Sequence, residues 1–294
     1  MKIKKAVIPA AGFGTRFLPA SKAQPKEMLP IVDTPTIQYV IEEVEKAGID
    51  NILMVIGKGK RAIEEHFDRN FELEEELKEK NRLDELRLIQ KISAMADIFF
   101  VYQKELNGLG DAVHYARGHI NNEPFVVLLG DTIIDTNDGT SITSEMIRVY
   151  EQFQAPVILL EEVDPQKVSR YGIVGGHTLD ENIFEIDSLI EKPSIQDAPS
   201  NLAVAGRYIL TPDIFECLEQ TPRGKNDEIQ LTDAMQILLK RRRFYGLKLK
   251  GIRHDIGNKL DFIKTNILYA MKREDMGKEV RNFIRKIASK LPPE

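Results

Sequence analysis

The order of apolar segments predicts an α/β fold built on a mixed, mainly parallel sheet flanked by helices. Two observations carry that expectation. First, an apolar run of strand length, Ala6 to Ile8, is followed by Ile37, Val40, Ile41 and Val44 at helical spacing, and then by a second apolar run, Asn51 to Ile56. Apolar residues recurring three and four apart mark one buried helix face. A strand, helix, strand sequence requires a right-handed crossover, which makes the two strands parallel. Second, the pattern returns with Ile98 to Tyr102 and with the continuous apolar segment Phe125-Val-Val-Leu-Leu-Gly-Asp131.

Composition sets the limits within which these segments are read. The chain has 294 residues, 42% hydrophobic and 30% charged, which suits a globular protein and argues against disorder. The net charge of −5 argues mildly against a nucleic-acid partner, although an acidic protein can carry a local basic site for an anionic ligand. Cys217 is the only cysteine, so no disulfide can form within the chain, a cytoplasmic location is expected, and the thiol reads as a buried structural one. Lysines before the apolar run at the N-terminus imitate a signal peptide, but Pro9 and Gly12 cut the run short. No stretch reaches the roughly eighteen apolar residues of a membrane span, and no membrane partner is expected. With no repeat, low-complexity tract or linker, residues 1–294 are expected to form one domain, with a helical insertion at about 64–97 and a C-terminal helical segment at about 258–294.

The first strand feeds Pro9-Ala10-Ala11-Gly12-Phe13-Gly14-Thr15-Arg16, followed by Pro25-Lys26-Glu27-Met28-Leu29-Pro30. Glycines leave backbone amides free to cradle phosphate, and Arg16 and Lys26 supply positive charge, so the pair of segments reads as a triphosphate clamp. Phe17 stands where a P-loop needs its second glycine and where the dinucleotide fingerprint needs its third, which excludes both. Pro19, Pro25 and Pro30 forbid an immediate long helix, so this loop is expected to wrap its ligand.

Further along, Gly48 is placed to end the first helix. From Glu64 to Lys91, acidic and basic residues alternate around Leu73, Leu77, Leu83, Leu86 and Ile89, the pattern of solvated amphipathic helices. Gln103 follows a strand and offers both a donor and an acceptor. Asp131 ends the apolar strand and is the first metal candidate, whereas Asp135 and Asp138, beside Thr136-Asn137-Asp138-Gly139, read as turn residues. Tyr171-Gly172-Ile-Val-Gly-Gly looks like a hairpin region, and Glu191-Lys192-Pro193 closes another strand. Asp227 and Asp233 have the placing of helix-start charges, and His254 reads as structural. No His/Cys cluster has zinc spacing and no EF-hand frame can be drawn, so oxygen ligands and magnesium are favoured. Leu260, Ile263, Ile267 and Met271 form a C-terminal helical stripe that packs onto the domain or onto a second subunit.

The A-A-G-x-G-T-R-x-L-P and P-K-E-M-L-P segments resemble those of the bacterial UTP:glucose-1-phosphate uridylyltransferases, within the sugar-nucleotide pyrophosphorylase superfamily. The resemblance covers nearly the whole chain and implies a Rossmann-like nucleotidyltransferase fold with sugar-side hairpin insertions. It implies transfer of a uridylyl group from UTP to glucose-1-phosphate, giving UDP-glucose and pyrophosphate, with Mg²⁺ as cofactor and a homodimer or homotetramer as the working form. By the same resemblance, Ala10, Ala11, Gly12, Gly14, Thr15, Arg16, Lys26, Gln103 and Gly108 bind the nucleotide, the last two at the uracil. Gly172, Glu191, Lys192 and Val204 hold the sugar phosphate, Arg16, Lys26 and Lys192 serve catalysis, and Asp131 and Asp255 hold the metal. Where the family has G-L-G-H-A this chain has G-L-G-D-A, so Asp111 departs from the pattern and leaves base preference open. A thymidylyltransferase, or a sensor of nucleotide sugars without catalysis, are the alternatives.

Overall fold

The structure is a computed structural model that describes residues 2–136 and 138–290. Asn137 of the expected turn and residues 291–294 of the expected C-terminal segment lie outside the described residues. The chain opens with β1 (Lys5–Ala10), a small hairpin of β2 (Pro30–Ile31) and β3 (Thr34–Pro35), α1 (Thr36–Lys46) and β4 (Asn51–Ile56). Helices α2 (Arg61–Phe67), α3 (Phe71–Glu79) and α4 (Leu83–Ser93) follow, then β5 (Asp97–Tyr102), α5 (Leu109–His114) and α6 (Arg117–Ile120). Next come β6 (Phe125–Leu128), β7 (Thr132–Thr136), α7 (Ile142–Phe153), β8 (Val157–Glu162), β9 (Gly172–Thr178), β10 (Ile183–Glu191) and β11 (Leu202–Leu210). The remainder is α8 (Ile214–Gln220), α9 (Leu231–Leu239), β12 (Phe244–Lys248), β13 (Gly251–Asp255), α10 (Lys259–Lys272) and α11 (Gly277–Ala288).

Among the described residues a nine-stranded sheet runs in the order β5-β4-β1-β6-β11-β8-β12-β10-β9. Its first four strands are parallel, as the strand and helix alternation requires, while β11 is antiparallel to both β6 and β8. Successive side chains on a strand point to opposite faces, and β1 shows it: Ala6 and Ile8 pack with α1 and α7 on one face, and Val7 packs with α5, α8 and α9 on the other. Both faces are covered, which is why these strands read as unbroken apolar runs.

Three expectations change against the coordinates. Asp135 is a strand residue in β7, paired in register with Ile252 of β13 and bridged to Lys272, because β13 supplies the ladder that a turn would lack. Only Asp138 does turn chemistry, accepting from the Thr140 amide at 3.0 Å and its hydroxyl at 2.8 Å. The hairpin near Tyr171 turns later than its glycine pair suggests, since Gly172 to Thr178 is one continuous strand. Leu260, Ile263 and Ile267 do not pack onto the domain: they are 58%, 55% and 41% exposed, while Phe262 and Tyr269 on another face of α10 contact Ile31, Ile133 and Ile256.

A buried ion pair ties α1 to the sheet. Arg207, fully buried on β11, donates from Nη2 to Glu43 Oε2 at 2.8 Å, and Thr143 donates to the same carboxylate at 2.5 Å. The guanidinium also donates to the carbonyls of Leu129 at 3.3 Å and Thr132 at 2.8 Å, on either side of Gly130 and Asp131. The neighbouring Gly206 has a φ of +78° within the register shift between Val204 and Tyr208, and a Cβ there would lie 3.1 Å from the Leu129 side chain. Glu43→Ala would strand a buried guanidinium, and urea unfolding should register a loss of about 3–5 kcal/mol; adding Arg207→Met in the same chain should recover much of it.

Candidate functional site

The loop after β1 is fastened from beneath and open above. Ala10 and Ala11 are buried at the strand end, and Gly57 backs onto them so closely that a Cβ there would lie 2.6 Å from the Ala11 carbonyl oxygen. A Cβ on Gly12 would meet nothing within 4 Å, and Thr15 and Arg16 are exposed. Gly14 has φ +66°, and its missing side chain leaves room for Lys26, whose Cβ is 3.0 Å from where a Gly14 Cβ would stand. The prolines limit the segment to short 3₁₀ turns at Thr15–Phe17, Ala20–Lys22 and Lys26–Met28. Phe17 is buried edge-on against Phe262 of α10, with ring centroids 5.5 Å apart, so α10 anchors the loop.

Two carboxylates converge beside this loop. The β7 and β13 pairing sets Asp255 opposite Thr132, and the Ile256 amide donates to the Asp131 carbonyl at 3.0 Å. A Cβ on Gly257 would lie 3.0 Å from Asp255 Oδ1, 3.1 Å from Asp131 Oδ2 and 3.5 Å from an Arg16 nitrogen, so three side chains meet over a bare backbone. Lys26 is ion-paired to Asp131 and lies 4.0 Å from Glu27, which in turn accepts from the buried Lys60 at 2.7 Å. Burial alone would lower the Lys26 pKa, but the charges of Asp131 and Glu27 outweigh it and lift the value. Asp131 shows the converse: burial opposes ionisation, and Lys26 and Arg16 nevertheless hold its carboxyl below the usual aspartate range. Asp255 is left uncompensated, pushed up by burial and then by repulsion from Asp131, against weaker relief from Arg253 and Arg16.

Such a pair suits a hard divalent cation, which binds through one or two carboxylates and completes its shell with water and phosphate oxygens. Among the described residues no group of three or more His, Cys, Asp and Glu side chains is disposed to hold a metal, so this pair depends on a ligand to finish the shell.

A second cluster gathers the sugar-side candidates. Gly172 pairs with Glu191, and a Cβ on it would lie 3.1 Å from Thr232 Oγ1 and 3.2 Å from Glu191 Oε2. Glu191 accepts from Thr232 at 2.8 Å and pairs with Lys192 Nζ at 2.8 Å. Lys192 has φ +47°, an unusual backbone for a lysine, and its backbone N–H donates a hydrogen bond to the Tyr171 carbonyl at 2.9 Å. Asp233 lies in the first turn of α9 as expected of a helix-start charge, next to Thr232, and burial and then the charge of Glu191 raise its pKa. Val204 is buried in β11 opposite Leu160, where the strand begins its irregular stretch. Arg253 links the two clusters: its guanidinium lies 4.8 Å above the Tyr171 ring, bonds Glu161 at 2.5 Å and bears on the charge of Asp255. Sequence reasoning missed Arg253 and Thr232. For Arg253 a signal existed, since it stands two residues before Asp255 and shares its face of β13.

The base-side candidates lie at the ends of the parallel strands. The Gln103 amide nitrogen of the backbone donates to the Ile56 carbonyl at 2.8 Å, and the residue is 6% exposed. Gly108 has φ +101°, and a Cβ there would fall 2.7 Å from Glu228 Cβ and 2.9 Å from the Ile229 carbonyl oxygen. Its glycine is therefore demanded by the neighbouring chain segment, beyond any need for approach to a ligand. Asp111 accepts from the Gln103 side chain at 2.7 Å.

The sign of the Asp255 shift yields a test. A carboxyl raised above its ordinary 3.8 destabilises the fold when ionised, so stability present near and below that pH is lost as pH rises through the raised value. At neutral pH the metal-free Asp255→Asn variant should melt above the parent, and added Mg²⁺ should raise the parent's melting temperature and leave the variant's nearly unchanged.

The chain is similar to known proteins over most of its length. The family model described as nucleotidyl transferase matches residues 5–272. The chain is 48% identical over 286 residues to the UTP--glucose-1-phosphate uridylyltransferase of Staphylococcus epidermidis, covering 97% of this chain and 99% of the relative. It superposes on a crystal structure of UDP-glucose pyrophosphorylase complexed with UDP-glucose with a TM-score of 0.85 and 44% identity, covering 92% of this chain and 100% of that one. A UTP-bound UGPase from Acinetobacter baumannii gives a TM-score of 0.88 at 39% identity, with 96% and 98% covered. On this likeness, and on a match that runs from β1 to the end of α10, the chain belongs to the nucleotidyl transferase family.

Proposed function

We propose that this chain transfers the uridylyl group of UTP to glucose-1-phosphate, releasing pyrophosphate and forming UDP-glucose. The observation that carries the chemistry is the convergence of Arg16, Asp131 and Asp255 over Gly257, with Lys26 bonded to Asp131. The choice of substrates is supported by the names of relatives at 48% identity.

Bringing a sugar phosphate against a triphosphate sets like charges together, and each unit pair at 4 Å costs about 4 kcal/mol at an effective dielectric of 20. Cations are therefore the first requirement. In this reading the open loop of Ala10, Ala11, Gly12, Gly14 and Thr15 cradles the phosphates, and Arg16 and Lys26 neutralise them. Gln103 and Gly108 meet the uracil. Glu191 accepts from sugar hydroxyls, Lys192 holds the sugar phosphate, and the backbone at Gly172 and Val204 borders the sugar. Asp131 and Asp255 would hold a magnesium ion, which would add positive charge at the phosphates. The sugar phosphate oxygen is already a nucleophile, so the protein's part is alignment and stabilisation of spread charge during in-line attack on the α-phosphorus. Arg16 would then steady the departing pyrophosphate.

The same reading treats residues 1–294 as one domain, supported by a sheet whose strands come from Lys5 to Lys248. It takes the exposed stripe of Leu260, Ile263 and Ile267 as a contact in a homodimer or homotetramer. Among the described residues no helix is long and apolar enough to cross a membrane, and a cytoplasmic setting without a nucleic-acid partner is proposed.

Purified protein with Mg²⁺ and glucose-1-phosphate should release pyrophosphate from UTP, and release should vanish without the sugar phosphate; strong release only with dTTP would instead favour a thymidylyltransferase. Lys192→Ala should raise KM for glucose-1-phosphate by at least about tenfold, the loss of one charge-assisted contact, and change KM for UTP less.

A further inference from the structure

The carboxylate of Asp111 governs which way round the side-chain amide of Gln103 stands. Gln103 Nε2 donates to Asp111 Oδ2 at 2.7 Å and, more weakly, to the Gly108 carbonyl at 3.3 Å. Both partners are acceptors, so only the NH₂ end of the amide can face them. The amide oxygen is then turned to the other side, where it receives no hydrogen bond from any described residue. Gln103 is 6% exposed and is the first residue beyond β5, so this open acceptor is presented from a fixed position at the carboxyl end of a parallel strand, the edge at which such sheets take ligands. The support behind it is equally fixed, because Gly110 donates to the Ile229 carbonyl at 2.9 Å and Ile229 donates to that of Asn107 at 2.7 Å.

We propose that Asp111 is a specificity-determining residue, which orients Gln103 so that the site accepts a pyrimidine carrying N–H at ring position 3 and refuses one carrying a lone pair there. This rests on the placing of Gln103 at the base in the function proposed above. Uracil and thymine both carry that N–H and would pair with Oε1. Cytosine turns a lone pair toward it, leaving two acceptors face to face and a buried polar group unpaired, the arrangement by which sites reject near-isosteres. Asp111 thus separates uracil from cytosine and is indifferent to the methyl group that separates uracil from thymine. A residue able to donate at position 111 lets the amide turn over, since an asparagine there can accept from Nε2 or donate to Oε1 and leaves only the longer Gly108 contact to favour the original orientation.

The test compares UTP, 5-methyl-UTP and CTP in pyrophosphate release by the parent, Asp111→Asn and Asp111→Ala, with thermal unfolding as the check on folding. In Asp111→Asn the ratio of kcat/KM for UTP over CTP should fall about tenfold or more, while the ratio for UTP over 5-methyl-UTP stays as in the parent. Asp111→Ala should move the first ratio in the same direction by a smaller factor, because the Gly108 carbonyl still holds the NH₂ end. Unchanged ratios in both variants, or both ratios falling together as in a loosened pocket, would overturn the proposal. A parent active on UTP with such variants condemns the role of Asp111 alone, whereas a parent inactive on UTP condemns the function on which it rests.

Discussion

Two aspartates that repel one another, Asp131 after β6 and Asp255 at the end of β13, set the terms for everything around them. Their oxygens approach one point above Gly257, although 124 residues of chain separate them. Like charges held close and partly out of water raise the cost of ionising both. The chain answers for one of them: Lys26 pairs with Asp131, and Lys60 in turn balances Glu27 behind it. Among the described residues Asp255 has no such ion pair, only the Gly257 amide at 3.0 Å, and keeps a raised pKa. A site prepared in this way is short of positive charge, which is the condition for taking up a cation that brings phosphate oxygens with it.

Holding those carboxylates in place is a task for the fold. The turn at Gly130 and Asp131 lies between strands, because β6 ends at Leu128 and β7 begins at Thr132. Arg207 fixes it through two carbonyl oxygens, and Glu43 of α1 supplies the charge that lets a guanidinium remain fully buried. On the opposite side, α10 fixes the phosphate loop through Phe17 and Phe262, and β13 places Arg253 between Asp255 and Tyr171.

Much of this was legible in the chain, and the reasons are physical. Strands β1, β4 and β6 are covered on both faces, so they appear as unbroken apolar runs, and the edge strand β5, more exposed, still shows as an apolar segment with nearly correct bounds. Helix α1 declares itself through Ile37, Val40, Ile41 and Val44, all fully buried. The prolines correctly limited the phosphate loop to short turns. What stayed hidden depends on pairings between distant residues. Asp135 looked like part of a turn because the strand that pairs with it lies more than a hundred residues later. Arg207 carries no local mark of burial, since an arginine is ordinarily exposed and its partner Glu43 is 164 positions away. Gly108 was assigned to the uracil by resemblance alone, and nothing local to it signals that Glu228 and Ile229, over a hundred residues later, require a glycine there. The family resemblance carried the role assignments, because residue chemistry alone reached no further than a magnesium-dependent enzyme acting on phosphorylated ligands.

The central claim is that the sugar phosphate attacks the nucleotide directly, with the protein supplying position and charge but no nucleophile. Cys217, the one thiol, is buried on α8 and held in its protonated form by burial, which removes it from consideration. The most direct measurement is exchange of labelled pyrophosphate into UTP with Mg²⁺ present and glucose-1-phosphate rigorously absent. Direct displacement predicts no exchange under those conditions, and exchange only when UDP-glucose is supplied with the pyrophosphate. Exchange without any sugar would mean that a uridylyl group rests on the protein between two steps, and would contradict the account.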